Sequence, residues 1–137
     1  MENIIYKYDK NIDENKIQKL YEDAGWISYT NDLPTLLKGI ESSLMVISAW
    51  HKEELVGLIR VVGDGQTIIY IQDILVLKPY KRKGIGTKLI NLVLDKYSGV
   101  RQKVLITDDG VETKEFYKAC GFQSSDKLGI ICFLKLN

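Results

Sequence analysis

The sequence is poor in the residues that carry several common kinds of chemistry. Its 137 residues include two cysteines, Cys120 and Cys132, and one histidine, His51. The cysteines form no Cys-x-x-Cys pair and have no histidine-rich surroundings, so we expect reduced structural cysteines, no disulfide framework and no bound metal. His51 lies in a short polar stretch between two apolar segments, which predicts a solvated turn residue and not a general base.

Long apolar runs and an excess of one charge are also missing. Nineteen Lys and Arg balance 18 Asp and Glu to a net charge of +1, so no general electrostatic field favours nucleic acid or a membrane surface. No segment approaches the roughly 20 apolar residues that span a bilayer, and the first seven residues lack the pattern of a secretory signal. We therefore expect a cytoplasmic protein with neither of these partners.

The chain has only two prolines and no repeat, so we expect it to be folded from end to end. A length of 137 residues with 45% hydrophobic content predicts one domain, residues 1–137. The apolar periodicity predicts a mixed sheet flanked by helices. Predicted strands cover 4–8, 44–50, 55–62, 67–77 and 104–107, with a terminal pair at 122–124 and 130–136; predicted helices cover 13–24, 32–40, 84–97 and 112–120.

A basic turn with two glycines follows the most apolar of these strands. Lys81, Arg82 and Lys83 precede Gly84 and Gly86 at the start of a predicted helix. The unpaired N–H groups and positive dipole of a helix start bind anions, and glycine lets the backbone approach a diphosphate. The spacing fits neither a P-loop nor a dinucleotide-binding fingerprint. An ordinary loop-to-helix junction is the alternative.

Two segments resemble the GNAT superfamily of N-acetyltransferases. The first runs from Val76-Leu77-Lys78-Pro79 through Tyr80 to Lys81-Arg82-Lys83-Gly84-Ile85-Gly86, with Lys81 where relatives have Gln or Arg. The second, about 30 residues later, is Phe116-Tyr117-Lys118-Ala119-Cys120-Gly121-Phe122. The resemblance implies a single-domain α/β (α+β) fold: a mixed, mostly antiparallel sheet of about seven strands, splayed at the central strand and flanked by about four helices.

The resemblance also implies a cosubstrate and a direct reaction. In this family acetyl-CoA and an amine meet in one ternary complex, and the amine attacks the thioester. By position, the main chain of Leu75, Val76 and Leu77 would receive the pantetheine arm. The diphosphate would lie against the turn and helix start, formed by Lys81, Arg82, Lys83, Gly84, Ile85, Gly86 and Thr87. Tyr117 matches the tyrosine that protonates the departing thiolate, with a core-packing tyrosine as the alternative.

The acceptor side is expected around a polar pair in the apolar central strand. Gln72 and Asp73 point to opposite faces, and a buried polar group needs a partner or a cleft. Asp73 matches a position that helps to activate the amine in several relatives, so it is a candidate base or ammonium anchor; a hydrogen-bonded structural role is the alternative. Further candidates for substrate binding are Trp26, Arg60, Asp64 and Gln72. For Arg60 and Asp64, the alternative to substrate contact is a surface ion pair beside a glycine turn, and the sequence does not favour either.

These expectations define a function with several open alternatives. The first is an acetyl-CoA-dependent N-acetyltransferase acting on a small-molecule amine. The second keeps the chemistry and changes the acceptor to a lysine or N-terminus of a protein or peptide. The third is a non-catalytic acetyl-CoA-binding sensor on the same fold. Homodimers are common among similar proteins, so a homodimer is possible.

Overall fold

The computed structural model describes residues 3–137. The chain forms two compact units, and the boundary between them follows Ile106. The first unit contains five strands and four α-helices. Its strands are β1 (Ile4–Lys7), β2 (Met45–His51), β3 (Glu54–Gly63), β4 (Ile68–Val76) and β5 (Gln102–Leu105). Its helices are α1 (Glu14–Asp23), α2 (Ile27–Thr30), α3 (Leu33–Ser42) and α4 (Ile85–Lys96).

The five strands form one sheet in the order β1-β2-β3-β4-β5. The first four strands are antiparallel to their neighbours, and β5 is parallel to β4. Both faces of β3 are covered, since all seven residues from Leu55 to Val61 are buried. The predicted mixed, mostly antiparallel sheet with flanking helices is therefore confirmed.

Local capping explains where two of the helices begin. The Asp13 carboxylate accepts hydrogen bonds from the N–H groups of Asn15 and Lys16 at the start of α1, and Asp32 caps α3 in the same way. Such caps satisfy N–H groups that have no partner within the helix. Helix α4 differs, because it begins after Gly84 with no side-chain cap.

The second unit contains α5 (Val111–Ala119) and a 3₁₀ turn at Ser125–Leu128. The predicted strands at 122–124 and 130–136 are wrong, since neither segment is a strand in the part of the chain that is described. Residues 124–130 instead form local backbone hydrogen bonds. The Lys127 N–H donates to the Ser124 carbonyl, and the Ile130 N–H donates to the Ser125 carbonyl. Apolar composition favours a strand only where a partner strand completes the ladder. Residues 3–137 thus contain five strands and five α-helices instead of about seven and four.

No helix within residues 3–137 has the length and apolar character needed to cross a membrane. The same residues contain no cluster of three or more His, Cys, Asp or Glu side chains placed to hold a metal ion.

Candidate functional site

Strand β4 carries a bulge at its polar pair. Arg60 of β3 pairs with Asp73, whereas the next residue, Val61, pairs with Ile71, so Gln72 is an extra residue in β4. A bulge of this kind bends the strand and re-aims its side chains. Gln72 is exposed and Asp73 is buried, which confirms the predicted opposite orientation of the two neighbours.

The Asp73 carboxylate lies inside a cluster of hydrogen-bond donors. Its Oδ2 atom accepts from Arg60 Nε at 2.7 Å and from the Tyr21 hydroxyl at 2.8 Å. Its Oδ1 atom accepts from the Tyr29 hydroxyl at 3.0 Å. Asp73 is only 2% exposed. The structure therefore favours the hydrogen-bonded role, and a proton could reach this carboxylate only through one of its partners.

Arg60 is the charge partner of Asp73 and is itself 7% exposed. Burial acts to lower the pKa of the guanidinium, but the Asp73 carboxylate, with smaller contributions from Tyr21 and Tyr29, acts against it, and the net shift of the Arg60 pKa is upward. The remaining guanidinium nitrogens reach Ser43 Oγ at 3.5 Å and the Tyr29 hydroxyl at 3.2 Å. The expected alternative of a surface ion pair between Arg60 and Asp64 is wrong.

Tyr29 connects this buried cluster to the exposed side of β4. Its hydroxyl donates to Asp73 and accepts from Arg60 Nη2 and from Gln72 Nε2, the last at 3.0 Å. The ring is half-buried. Burial is the main reason that the pKa of Tyr29 is raised, and Asp73 adds to the shift while Gln72 opposes it. Tyr29 therefore remains a neutral hydroxyl with both lone pairs in use.

Trp26 stands beside the same tyrosines at the junction of α1 and α2. Its ring centroid lies 6.0 Å from that of Tyr21 and 6.1 Å from that of Tyr29, and the ring is half-buried. The Tyr21 and Tyr29 rings meet edge to face at 5.3 Å. Three aromatic rings thus pack together beside Asp73, and one of them, Tyr29, also bonds to Gln72.

Asp64 lies outside this cluster, in the turn between β3 and β4. Its Oδ1 accepts from the backbone N–H groups of Gln66, Thr67 and Ile68, and its Oδ2 accepts from the Thr67 hydroxyl. These hydrogen bonds, led by that from Gln66, hold the pKa of Asp64 below its usual range. The carboxylate shapes the turn, and the structure does not bring it together with Arg60.

Beyond the bulge, β4 has an open edge on its β5 side. The parallel pairing with β5 covers only Ile68–Ile71, while β4 continues to Val76. Within residues 3–137, no strand pairs with the later part of β4 on this side. Leu75 and Val76 lie in this open stretch. Leu77 does not, since its N–H donates to Val56 O at 2.9 Å and its carbonyl accepts from Tyr80 N–H.

The basic turn that follows leads into the uncapped start of α4. Arg82 has φ 64° and Gly84 has φ 85°, so the backbone enters the left-handed region twice within three residues. The first hydrogen bond of the helix runs from Lys88 N–H to Gly84 O. The N–H groups of Ile85, Gly86 and Thr87 precede it and therefore have no acceptor within the helix. Lys81, Arg82 and Lys83 are exposed. Exposed cations beside such a helix start favour an anion.

Two polar contacts that sequence reasoning missed hold this turn. The Asp23 carboxylate accepts from Lys78 N–H at 2.9 Å. His51 Nδ1 lies 2.8 Å from the Tyr80 hydroxyl, and His51 is a half-buried residue at the end of β2 instead of a solvated turn residue. Both contacts join positions far apart in the chain, so no local pattern indicates them.

Tyr117 lies on α5 in the second unit. Its ring makes edge-to-face contacts with Phe116 at 5.0 Å and Phe122 at 6.0 Å. Burial, followed by the charges of Cys120 and Asp108, raises the pKa of Tyr117 to about 12. The hydroxyl is therefore protonated at neutral pH and can donate a hydrogen.

Tyr21 and Tyr29 are the cluster members that the sequence did not single out. Tyr21 continues the apolar stripe of α1, and Tyr29 lies in the four-residue helix α2, which was not predicted. The two tyrosines and the tryptophan between positions 21 and 29 gave no periodic signal that would group them into a site. The sequence feature that could have indicated these tyrosines is Asp73, because a buried carboxylate requires hydrogen-bond donors from elsewhere in the fold.

Comparisons with known proteins agree with this architecture. The model of the "Acetyltransferase (GNAT) family" matches residues 12–122. No curated protein sequence matches the chain significantly. Among solved structures, a GNAT family acetyltransferase from Streptococcus pneumoniae TIGR4 is 27% identical, with a TM-score of 0.87 and coverage of 98% of each chain.

Two more distant solved structures share the fold. An aminoglycoside acetyltransferase from an uncultured soil metagenomic sample, in complex with sisomicin, is 18% identical with a TM-score of 0.72, over 98% of this chain and 96% of that one. The structure of AAC(6')-Iy in complex with the bisubstrate analog CoA-S-monomethyl-acetylneamine is 15% identical with a TM-score of 0.74, over 98% of this chain and 99% of that one.

Proposed function

The chain belongs to the GNAT family of acetyltransferases and is an acyltransferase enzyme; from this premise we propose that it transfers an acetyl group from acetyl-CoA to a primary amine of a small molecule. One observation carries the proposal: a single strand, β4, bears the bulged polar pair, then an open edge, and leads into an uncapped helix start. Acceptor, thioester and diphosphate can therefore be bound in sequence along one element. We also propose that residues 1–137 form one domain, because the family match crosses the boundary between the two units.

The residues present fit acetyl-CoA. The open edge of β4 at Leu75 and Val76 offers main-chain groups to an extended amide-bearing arm, whereas Leu77 contributes no N–H because that group is already bonded to Val56. The diphosphate is assigned to the turn and helix start, from Lys81 to Thr87, where exposed cations flank an uncapped N-terminus. Acetyl-CoA supplies the activated acetyl group.

On the acceptor side, we assign direct contact with the amine to Tyr29 and not to Asp73. Gln72 is the exposed donor to the Tyr29 oxygen, so an incoming ammonium can replace its amide. Asp73 then acts as a positioning residue that orients the phenol. The same hydrogen bonds offer a route for the proton, from the ammonium to the Tyr29 oxygen as the Tyr29 hydrogen passes to Asp73 Oδ1. Trp26 is assigned to the wall of this acceptor site.

Replacing Tyr29 with phenylalanine tests this assignment. We expect the variant to remain folded, because the ring contacts are kept, while kcat/KM for the amine falls about 100-fold or more, the scale of one lost general-acid or general-base contact. The affinity for acetyl-CoA should stay within about twofold of the parent, measured by calorimetric titration. The matched control is Tyr8→Phe, which removes a hydroxyl from an exposed tyrosine. An unchanged kcat/KM in Tyr29→Phe would exclude contact between Tyr29 and the amine.

A coenzyme A release assay across a panel of acceptors tests the function itself. The panel contains polyamines, amino sugars, amino acids and aminoglycosides, together with lysine-containing peptides and peptides with free N-termini. We expect acceptor-dependent release with a small-molecule amine. The two aminoglycoside-related neighbours support including that class.

The other outcomes of the panel identify the alternatives. Release only with peptides would assign the protein-acetylating reaction. Acetyl-CoA binding in calorimetric titration without release from any acceptor would assign a sensor. Absence of acetyl-CoA binding would contradict the proposal as a whole.

A further inference from the structure

Three polar side chains meet at the start of the basic turn. The Tyr80 hydroxyl lies 2.8 Å from His51 Nδ1, at the end of β2, and 3.1 Å from Glu54 Oε1, at the start of β3. We propose that Tyr80 is a positioning residue, locked by His51 and Glu54, that fixes the turn from Lys78 to Gly84 in the conformation that receives the coenzyme diphosphate. This inference rests on the proposed use of acetyl-CoA. The strand, the glycines and the cations supply the contacts to the coenzyme, and Tyr80 holds the turn in the conformation that presents them.

The direction of the hydrogen bonds follows from the groups involved. A carboxylate can only accept, so the Tyr80 hydroxyl donates to Glu54. The phenol oxygen then accepts from the Nδ1–H group of His51. The Tyr80 hydroxyl thus accepts a hydrogen bond from β2 and donates one to β3, the two strands of one hairpin. The phenol can form both hydrogen bonds only in one orientation.

The turn needs such a lock because its backbone is costly to hold. Arg82 occupies the left-handed region at φ 64°, a conformation that is unfavourable for a residue with a side chain. Besides the Tyr80 bonds, the turn is tied by Lys78 N–H to Asp23. These two tethers act on the first half of the turn and leave the N–H groups at the start of α4 for an anion. A fixed set of donors binds an anion more tightly than a mobile set, because less ordering is needed on binding.

Two lysines lie beside Glu54 and Tyr80. Glu54 also pairs with Lys19 Nζ at 3.2 Å, at the surface. Lys83 Nζ lies 5.3 Å from the centre of the Tyr80 ring, within the range of a cation–π contact. Holding Tyr80 therefore also orients one of the cations assigned to the diphosphate.

The test compares Tyr80→Phe with Tyr8→Phe, which removes an exposed hydroxyl elsewhere. Tyr80→Phe keeps the ring under Lys83 and removes both hydrogen bonds. We expect its Kd for acetyl-CoA to rise about tenfold, corresponding to about 1.4 kcal/mol, with kcat at saturating acetyl-CoA unchanged within about twofold. In the protein without ligand, hydrogen exchange of the amides from Lys81 to Thr87 should be several-fold faster in Tyr80→Phe only.

Glu54→Gln and the double variant Tyr80→Phe/Glu54→Gln separate a lock from independent contacts. If Glu54 acts through Tyr80, the double variant should bind acetyl-CoA as weakly as Tyr80→Phe and no more weakly. Lys19→Gln, which breaks only the surface ion pair, should leave the Kd within about twofold of the parent.

Three results would overturn the inference. The first is unchanged amide exchange in Tyr80→Phe. The second is faster exchange with an unchanged Kd, since the turn would then be held for no purpose in binding. The third is a parallel fall in kcat and affinity, which indicates general structural damage. If the parent itself shows no affinity for acetyl-CoA, the proposed function fails, and the exchange measurement still reports whether Tyr80 holds the turn.

Discussion

Replacing Asp73 with alanine is expected to lower the free energy of unfolding by about 3–5 kcal/mol, the usual cost of removing one partner of a buried ion pair. The Arg60 side chain is 9% exposed and that of Asp73 is 1% exposed, with 2.7 Å between Nε and Oδ2. The variant leaves a guanidinium charge buried with hydroxyl partners alone. It also removes the acceptor of two tyrosine hydroxyls. Urea denaturation followed by circular dichroism measures the change.

Three further variants identify the source of this loss. The control Asp95→Ala removes an exposed carboxylate from α4 and should change the free energy of unfolding by less than about 0.5 kcal/mol. The double variant Arg60→Met/Asp73→Leu should recover part of the loss, because no charge remains buried. Recovery should be incomplete, since the Tyr21 hydroxyl, fully buried, still lacks its acceptor. Adding Tyr21→Phe should restore more.

A loss in Asp73→Ala no larger than that in Asp95→Ala would contradict the buried ion pair. A double variant less stable than Asp73→Ala would contradict the explanation by buried charge, because the loss would then come from packing. Either result would also remove the reason for assigning Asp73 to the orientation of Tyr29.

Much of the first unit could be predicted from local pattern. The strand before the basic turn and the helix after it were predicted to within one or two residues, because the almost continuously apolar run of β4 and the apolar stripe of α4 are both visible in the sequence. The sequence also indicated that Asp73 needs a partner, because a carboxylate inside an apolar strand is expected to be buried. Its partners were not predictable, since Tyr21 and Tyr29 lie 52 and 44 residues away in sequence.

The failures have a common physical origin in long-range pairing. The apolar segment at 130–136 has the composition of a strand, but a strand is defined by hydrogen bonds to a neighbour, and composition does not specify that neighbour. For Arg60, a surface ion pair was kept as an alternative to substrate contact, whereas its strand is buried on both faces and offers no polar alternation from which its orientation could be read. Local pattern therefore predicts elements more reliably than the contacts of their polar side chains.

Replacing Tyr117 with phenylalanine is expected to lower kcat by about 100-fold or more, the scale of a positioned general acid. This prediction rests on the role that the family resemblance implies for Tyr117, the general acid for the departing thiolate, which phenylalanine cannot fill. The pKa of Tyr117, raised to about 12 mainly by burial, keeps the phenol protonated, so its ionisation should cause no loss of rate at neutral or mildly basic pH. The Kd for acetyl-CoA should stay within about twofold, because a general acid acts in the chemical step.

Phe116→Leu is the packing control for this prediction. It alters the ring that meets Tyr117 at 5.0 Å and leaves the hydroxyl in place, so kcat should fall by less than about tenfold. Single-turnover measurements separate the chemical step from product release. If Tyr117→Phe retains the parent single-turnover rate, the thiolate takes its proton from another source. A fall of equal size in Phe116→Leu would show that Tyr117 matters for packing and not as an acid.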